Sequence, residues 1–413
     1  MLQDKENSPR KDGFIFLPKE LLKVGKDQKN VLVIEFQSSY DEDGQGLNSF
    51  IDNDDNQYLW SQGMFGYMNR IFPCFDQPNL KAKMNLTVSA PKSWTVISNE
   101  NIKERNSSIT KYTHFFKTTE ILPVYNFVIN AGPFEVVKGK DSNTSYGVNL
   151  YCRKSLHEHL EKDFNKKYII ESIQKSIVEN EKLTGVDYLF SKADIVFVPE
   201  FPKNASPNPG AVTMNEKHLF KFKPDTEQLS LRHHILAYEI GHMWFGNLVT
   251  PKWWSDIWLH EAYNNFNAVL VTSKIFEKNA LSYTTYDPWV LANSMRNQNA
   301  YNLDSVESSH PVMIDLTDTN SAVHAYDDLT YFKGSAIIKQ LYFIVGEEKY
   351  TTGLQNYIQK RKFDNTCYEC FLKEFKGYID VDKFIREWFM SAGYNEISAN
   401  WELESKDADA KIE

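Results

Sequence analysis

With 413 residues, 42% of them apolar and 24% charged, the chain is long enough for two to three domains and has an ordinary globular composition. A net charge of −9 argues against nucleic acid as the main partner, because phosphate neutralisation needs a basic face. No stretch approaches the run of about eighteen apolar residues that a membrane-spanning helix needs, so none is expected.

The opening MLQDKENSPRKDG lacks the apolar core of a secretory signal, and Cys74, Cys152, Cys367 and Cys370 form no disulfide framework. A soluble intracellular protein is expected, cytoplasmic in the simplest case, with the sequons at Asn85, Asn106 and Asn143 unglycosylated. From residue 14 to about 140, VLVIEF (31–36), MNLTVSA (84–90), WTVIS (94–98) and YTHFFKTTE (112–120) are β-branched and aromatic runs between turn residues. Short strands in series predict an antiparallel sheet or sandwich over 1–140, closed by the polar, turn-rich GKDSNTSY (139–146).

Residues 156–185 then place apolar side chains at helical spacing and stop near Gly185. ADIVFVPEF (193–201) reads as a short buried strand. From 230 to 395 the pattern is mostly helical, clearest in YFKGSAIIKQLYFIVG (331–346) and VDKFIREWFMSAG (381–393). A largely helical second domain is therefore expected over 141–396. ISANWELESKDADAKIE (397–413) begins like a strand and starts a following segment. Cys367 and Cys370 make a lone Cys-x-x-Cys with no second ligand pair nearby, which reads as two reduced thiols.

The chemistry concentrates in YEIGHMWFGNLVTPKWWSDIWLHEAYNNF (238–266). A zinc hydrolase helix sets two histidines one turn apart, so both imidazoles face one ion, and the Glu after the first His is the base for the metal-bound water. The helix expected over 231–246 carries Glu239 and His242 in those places, and the next helix carries Glu261 eighteen residues beyond His242. Position 238, where the first histidine belongs, is Tyr238.

This layout, His-Glu-x-x-His followed after eighteen residues by Glu but with tyrosine in first place, resembles the aminopeptidase N family of zinc metallopeptidases, the gluzincin aminopeptidases. RIFPCFDQPNLKA (70–82), APKSWTVISN (90–99), VNLYCRKSL (148–156), VFVPEF (196–201), TYFKGSAII (330–338) and EWFMSAGYN (387–395) extend the resemblance in family order, over roughly residues 14–400. The resemblance implies an α+β fold: an N-terminal antiparallel β domain, here incomplete, then a thermolysin-like, mostly helical domain. It also implies zinc held by His242 and Glu261, with Glu239 as general base and Tyr331 as hydrogen-bond donor to the oxyanion. Family members hold the free amine of the peptide with the Glu of a Gly-Ala-Met-Glu-Asn segment. NASPN (204–208) aligns with it, which keeps Ala205 and Asn208 as substrate-binding candidates and puts Pro207 at the Glu. A Gln-x-Glu from the β domain supplies a second carboxylate in many members; here Gln62 is kept and Met64 replaces the Glu.

The departures fall together: one zinc ligand and both amine-binding carboxylates. A phenol ligates zinc only by giving up a proton whose pKa is near 10, and it reaches farther than an imidazole. The plainer reading of Tyr238 is a core tyrosine filling the vacated place, its hydroxyl bonded to Glu261 or His242. His234 lies too far up the helix to share an ion with His242. His260 points about a quarter-turn from Glu261, so both read as satisfied polar or surface histidines. Trp253, Trp254 and Trp258 read as packing between the two site helices.

The expected protein is a catalytically degenerate aminopeptidase relative, with weak or absent zinc, acting as a structural or binding subunit. The alternative is an active zinc metallopeptidase; a third use is binding of peptide in the old cleft without cleavage. Relative to the family the chain is expected to start inside the β domain and to stop before further domains. It reads equally as a partial sequence, a short protein or a subunit completed by protein partners, and a sheet missing strands would have an exposed edge.

Overall fold

The computed structural model describes residues 10–11, 14–15, 17–25, 29–139, 146–278, 287–395 and 398–400, and the chain divides into two units, 1–39 and 40–413. In the first unit, Arg10–Lys11 pairs antiparallel with Phe14–Ile15, and Lys19–Leu21 forms one turn of 3-10 helix. VLVIEF is not a strand. Val31 and Val33 are 86% and 81% exposed, and the segment has no ladder partner among the described residues. β-propensity makes a strand only where a partner and a buried face accept it.

Residues 40–413 hold three larger sheets. One is antiparallel throughout, in the order Gly46–Ile51, Gln57–Gln62, Ile129–Gly132, Thr95–Ser98. A second, also antiparallel, runs Thr87–Pro91, Lys111–Phe116, Ile102–Ser107. The third is mixed, in the order Phe134–Lys138, Asn149–Arg153, Asp194–Val198, Ala211–Asn215, Ala205–Ser206, with its two inner pairings parallel. The strands expected at 84–90, 94–98 and 112–120 are thus present within a few residues. The border expected near 140 lies outside the described residues, between two strands that pair with each other.

A parallel pairing needs a crossover, and the helix Asp163–Thr184 supplies it between Asn149–Arg153 and Asp194–Val198. Gly185, at φ 65°, ends that helix in the left-handed region that glycine favours. Every residue of Asp194–Val198 is buried, because Ile195 and Phe197 pack into one core while Val196 and Val198 pack into another.

The first site helix, Thr226–Gly241, starts five residues before the expected 231. Asp225 accepts from Gln228 N at 2.7 Å and Gln228 Oε1 accepts from Asp225 N at 3.0 Å, a reciprocal cap. It also stops earlier, with His242 at its C-cap, because the chain tightens there: Gly246 N donates to Val249 O at 2.8 Å. Gly246 has φ 143°, and a Cβ on it would come within 2.8 Å of His242 Nδ1, so glycine leaves the room that the imidazole occupies.

The second site helix, Ile257–Glu277, is buried on nearly all sides. Its asparagines bind it to its neighbours: Asn264 Nδ2 donates to Phe245 O at 2.6 Å and Asn267 Nδ2 to Asn180 Oδ1 at 2.8 Å. Trp254 and Trp258 are fully buried as expected, whereas Trp253 is partly exposed and donates Nε1 to Leu316 O at 2.7 Å. The helix expected at 331–346 is α-helical over Gly334–Val345 but begins with a π turn, Leu329–Lys333, that carries Tyr331. Cys367 and Cys370 stand as thiols with sulfurs 3.8 Å apart. Of the expected final segment, 397 and 401–413 lie outside the described residues, and 398–400 have no regular structure. Among the described residues no helix is long and apolar enough to cross a membrane.

Candidate functional site

The two site helices, the loop after Asp194–Val198 and the π turn enclose a cavity of about 460 Å³. Tyr238, Glu239, His242, Glu261, Tyr331 and Ala205 all line it, and so do Pro207 and Met64. Gln62 and Asn208 do not. Both are buried, and both serve the wall from behind: Gln62 Oε1 accepts from Met64 N at 3.2 Å, and Asn208 Nδ2 donates to Asn126 O at 3.3 Å. Each also keeps one buried amide atom without a hydrogen-bond partner, Gln62 Nε2 and Asn208 Oδ1.

Tyr238 is one turn before His242, and its hydroxyl donates to Glu261 Oε2. Its ring meets the His242 ring edge-on, centroids 4.8 Å apart at 78°. His242 Nε2 lies 3.7 Å from the same Glu261 oxygen. Burial pushes the His242 imidazole down to about 3, with the positive charges of His260 and Lys203 adding, so that contact is not an ion pair at neutral pH. Glu239 Oε2 is buried with no hydrogen-bond partner. Burial raises the Glu239 carboxyl to about 8, the charge of Glu261 adding and that of Lys203 opposing. Burial also raises Glu261, moderated by the Tyr238 hydroxyl and by Lys203. Tyr238 and Tyr331 are held well above their ordinary range by burial and by the nearby carboxylates.

A zinc ion needs lone pairs from converging donors. His242 and Glu261 offer them, but the third place presents an O–H whose proton points at Glu261. Among the described residues no three His, Cys, Asp or Glu side chains are grouped to hold a metal ion. His234 and His260 line the cavity without replacing the missing ligand. His234 Nε2 is 3.1 Å from Asn265 Oδ1, and His260 Nδ1 is 3.3 Å from Asp256 O.

Three contributors escaped sequence reasoning. Lys203 is on the cavity wall, its Nζ 3.7 Å from Met64 Sδ and 5.3 Å from the centroid of the Phe65 ring. Burial lowers its pKa, and the Glu261 and Glu239 carboxylates oppose that shift. Asn247 Nδ2 donates to Pro207 O at 2.8 Å, and Asn126 Nδ2 donates to Asn247 Oδ1 at 2.7 Å. Both Lys203 and Asn247 sit inside motif stretches, PEFPKNASPN and WFGN, but their partners are distant in sequence and no local period marks them.

An antiparallel β region followed by a helix pair that carries Glu239, His242 and Glu261 over an open cleft defines a protein of the metallopeptidase class. Residues 168–388 match the Peptidase family M1 domain and residues 2–125 the Peptidase M1 N-terminal domain; the chain belongs to the peptidase M1 family. It is 34% identical over 391 residues to aminopeptidase N of Streptomyces lividans, covering 93% of this chain and 44% of that protein. Leucyl aminopeptidase of Saccharolobus solfataricus is 29% identical over 326 residues, 78% of this chain and 40% of its own. Tricorn protease-interacting factor F2 of Thermoplasma acidophilum is 30% identical over 302 residues, 71% of this chain and 35% of its own. The chain therefore spans less than half the length of these relatives.

Proposed function

We propose that this chain is a catalytically degenerate aminopeptidase relative that keeps the cleft for binding and works as a binding or structural subunit alongside protein partners. The observation that carries this is the hydrogen bond from Tyr238 to Glu261. It engages one of the two remaining zinc ligands with a proton donor that stands where the third ligand belongs, so the donor set does not fit zinc. Two further features point the same way. Burial raises the Glu239 carboxyl to about 8, which favours its neutral form over the carboxylate a general base requires. Pro207 and Met64 offer no carboxylate for a substrate ammonium.

Purified protein is expected to hold substoichiometric zinc and to leave aminoacyl-coumarins uncleaved at neutral pH. Loss of even an outer-shell partner of a metal site costs about 10- to 100-fold in affinity or activity, and loss of a ligand costs more. The alternative, an active zinc peptidase, draws on Glu239, His242, Glu261 and Tyr331 sharing one cavity. Near-stoichiometric zinc with chelator-sensitive turnover, abolished by Glu239→Gln, would establish that alternative.

A second expected result separates the two through stability. Tyr238→Phe leaves Glu261 buried without its donor and should cost about 1–3 kcal/mol. A chelator added to the unmodified protein should leave its urea midpoint where it was. A chelator-induced drop as large as that of Tyr238→Phe would mean that metal, and not the tyrosine, holds the two helices in register.

A further inference from the structure

The cavity carries opposite charges on different walls. Glu239 and Glu261 come from the two site helices, while the loop at 203–207 brings a single ammonium, Lys203. That ammonium is half-buried and sits in apolar company, beside Met64 Sδ at 3.7 Å and over the Phe65 ring at 5.3 Å. Neither neighbour neutralises it, and among the described residues no carboxylate oxygen lies within ion-pair distance of its Nζ. The side chains that flank it, Met64 and Pro207, add no negative charge. An ammonium with no carboxylate in ion-pair distance, touched by Glu239 and Glu261 only at longer range, leaves a place for an anion at the wall of a cavity the size of a small-ligand site.

We propose that the cavity takes its ligand by a carboxylate, with the Lys203 ammonium as the counter-charge. The proposal rests on the reading above that the cleft binds without cutting, and it names what that cleft binds: a peptide end or an acidic side chain, not a free amino terminus. Apolar atoms around Nζ strengthen such a pair by excluding water, and Phe65 holds the lysine in place through its ring face. An incoming ammonium would meet a like charge on the Met64 side of the cavity and could face only Glu239 and Glu261 on the helix side.

The test is isothermal titration calorimetry of the full chain with four probes. These are N-acetyl-dialanine with a free carboxylate, the same peptide as its amide, N-acetyl-aspartyl-alanine amide, and dialanine amide with a free amine. The expected result is that at least one carboxylate probe binds about tenfold or more tighter than both uncharged and amine-bearing probes. The preference should vanish in Lys203→Met and persist in Lys203→Arg. Binding of the first probe alone assigns a peptide C-terminus, and binding of the third alone assigns a side chain. Equal binding of amide and carboxylate, a preference for the free amine, no binding at all, or a preference that survives Lys203→Met would overturn the proposal. The same samples are assayed for cleavage of unblocked peptides with and without chelator. Turnover there would overturn the degenerate-cleft reading while the Lys203 comparison still reports on the carboxylate, so the two failures are told apart.

Discussion

Tyr238→His is expected to convert the chain into one that holds a single zinc ion, with an affinity gain beyond about 100-fold. Tyr238 and His242 already lie one turn apart with ring centroids at 4.8 Å, so a histidine at 238 would face the same point as His242. The substitution also removes the hydroxyl that occupies Glu261, and an imidazole is shorter than a phenol, which leaves space for the ion. Aminopeptidase activity should not return with the metal. Pro207 and Met64 bring no carboxylate to an ammonium, and the Met64 sulfur already faces the Lys203 ammonium. Substrate positioning, which reaches ~7–11 kcal/mol of the barrier in the best cases, stays unrealised. Adding Pro207→Glu, Met64→Glu and Lys203→Met should then raise turnover. Atomic emission for zinc and aminoacyl-coumarin hydrolysis read both outcomes across the series. Brisk turnover from Tyr238→His alone would show that NASPN is not the amine-binding segment. Failure of zinc to return would show that the helices no longer hold ligand geometry.

Gly210→Ala should be among the most damaging single substitutions outside the hydrophobic core. Gly210 has φ 78°, and a Cβ there would stand 2.0 Å from the backbone oxygen of Asn99. Neither group can yield. Asn99 Nδ2 donates to Asn126 O at 2.8 Å and to Pro209 O at 2.9 Å, while Gly210 O accepts from the buried Lys192 ammonium at 2.9 Å. Backbone strain and overpacking act together, for a loss on the order of 3–5 kcal/mol. Urea unfolding measures it, and a shift under about 1 kcal/mol would mean that the 207–210 loop is far softer than its bonds suggest.

What could be read from the sequence follows from how local each signal is. The reciprocal partner for Tyr238 was expected among Glu261 and His242, because one helical turn and a fixed spacing leave few neighbours, and Glu261 is the one found. The helix Asp163–Thr184 and the strand Asp194–Val198 are likewise fixed by patterns contained within themselves. VLVIEF failed for the opposite reason: nothing in six residues tells whether a neighbouring strand exists to accept them. The helix ends were misplaced where a cap decides, at Asp225, or where a turn imposed from outside does, at Gly246. Gln62 and Asn208 kept their family identity but face backbone, and Lys203 faces the cavity without any motif to announce it. Such a position depends on a chain of contacts spread over more than a hundred residues, from Asn99 through Asn126 to Asn247.

That same chain has a consequence for how the protein changes over time. Asn99, Asn126 and Asn247 grip the 203–210 loop, but they do so through its carbonyls, at Pro207 and Pro209, and through one another. Backbone atoms are the same in every residue, so these carbonyl contacts are indifferent to the side chains at 206 and 207, while Asn204 and Asn208 tie the loop with their own amides. Ser206 or Pro207 can be exchanged without releasing any of those bonds, and each exchange repaints the cavity wall. Selectivity and stability are thereby separable at these two positions: an exchange at 206 or 207 alters the cavity wall while the three asparagines and Gly210 hold the loop.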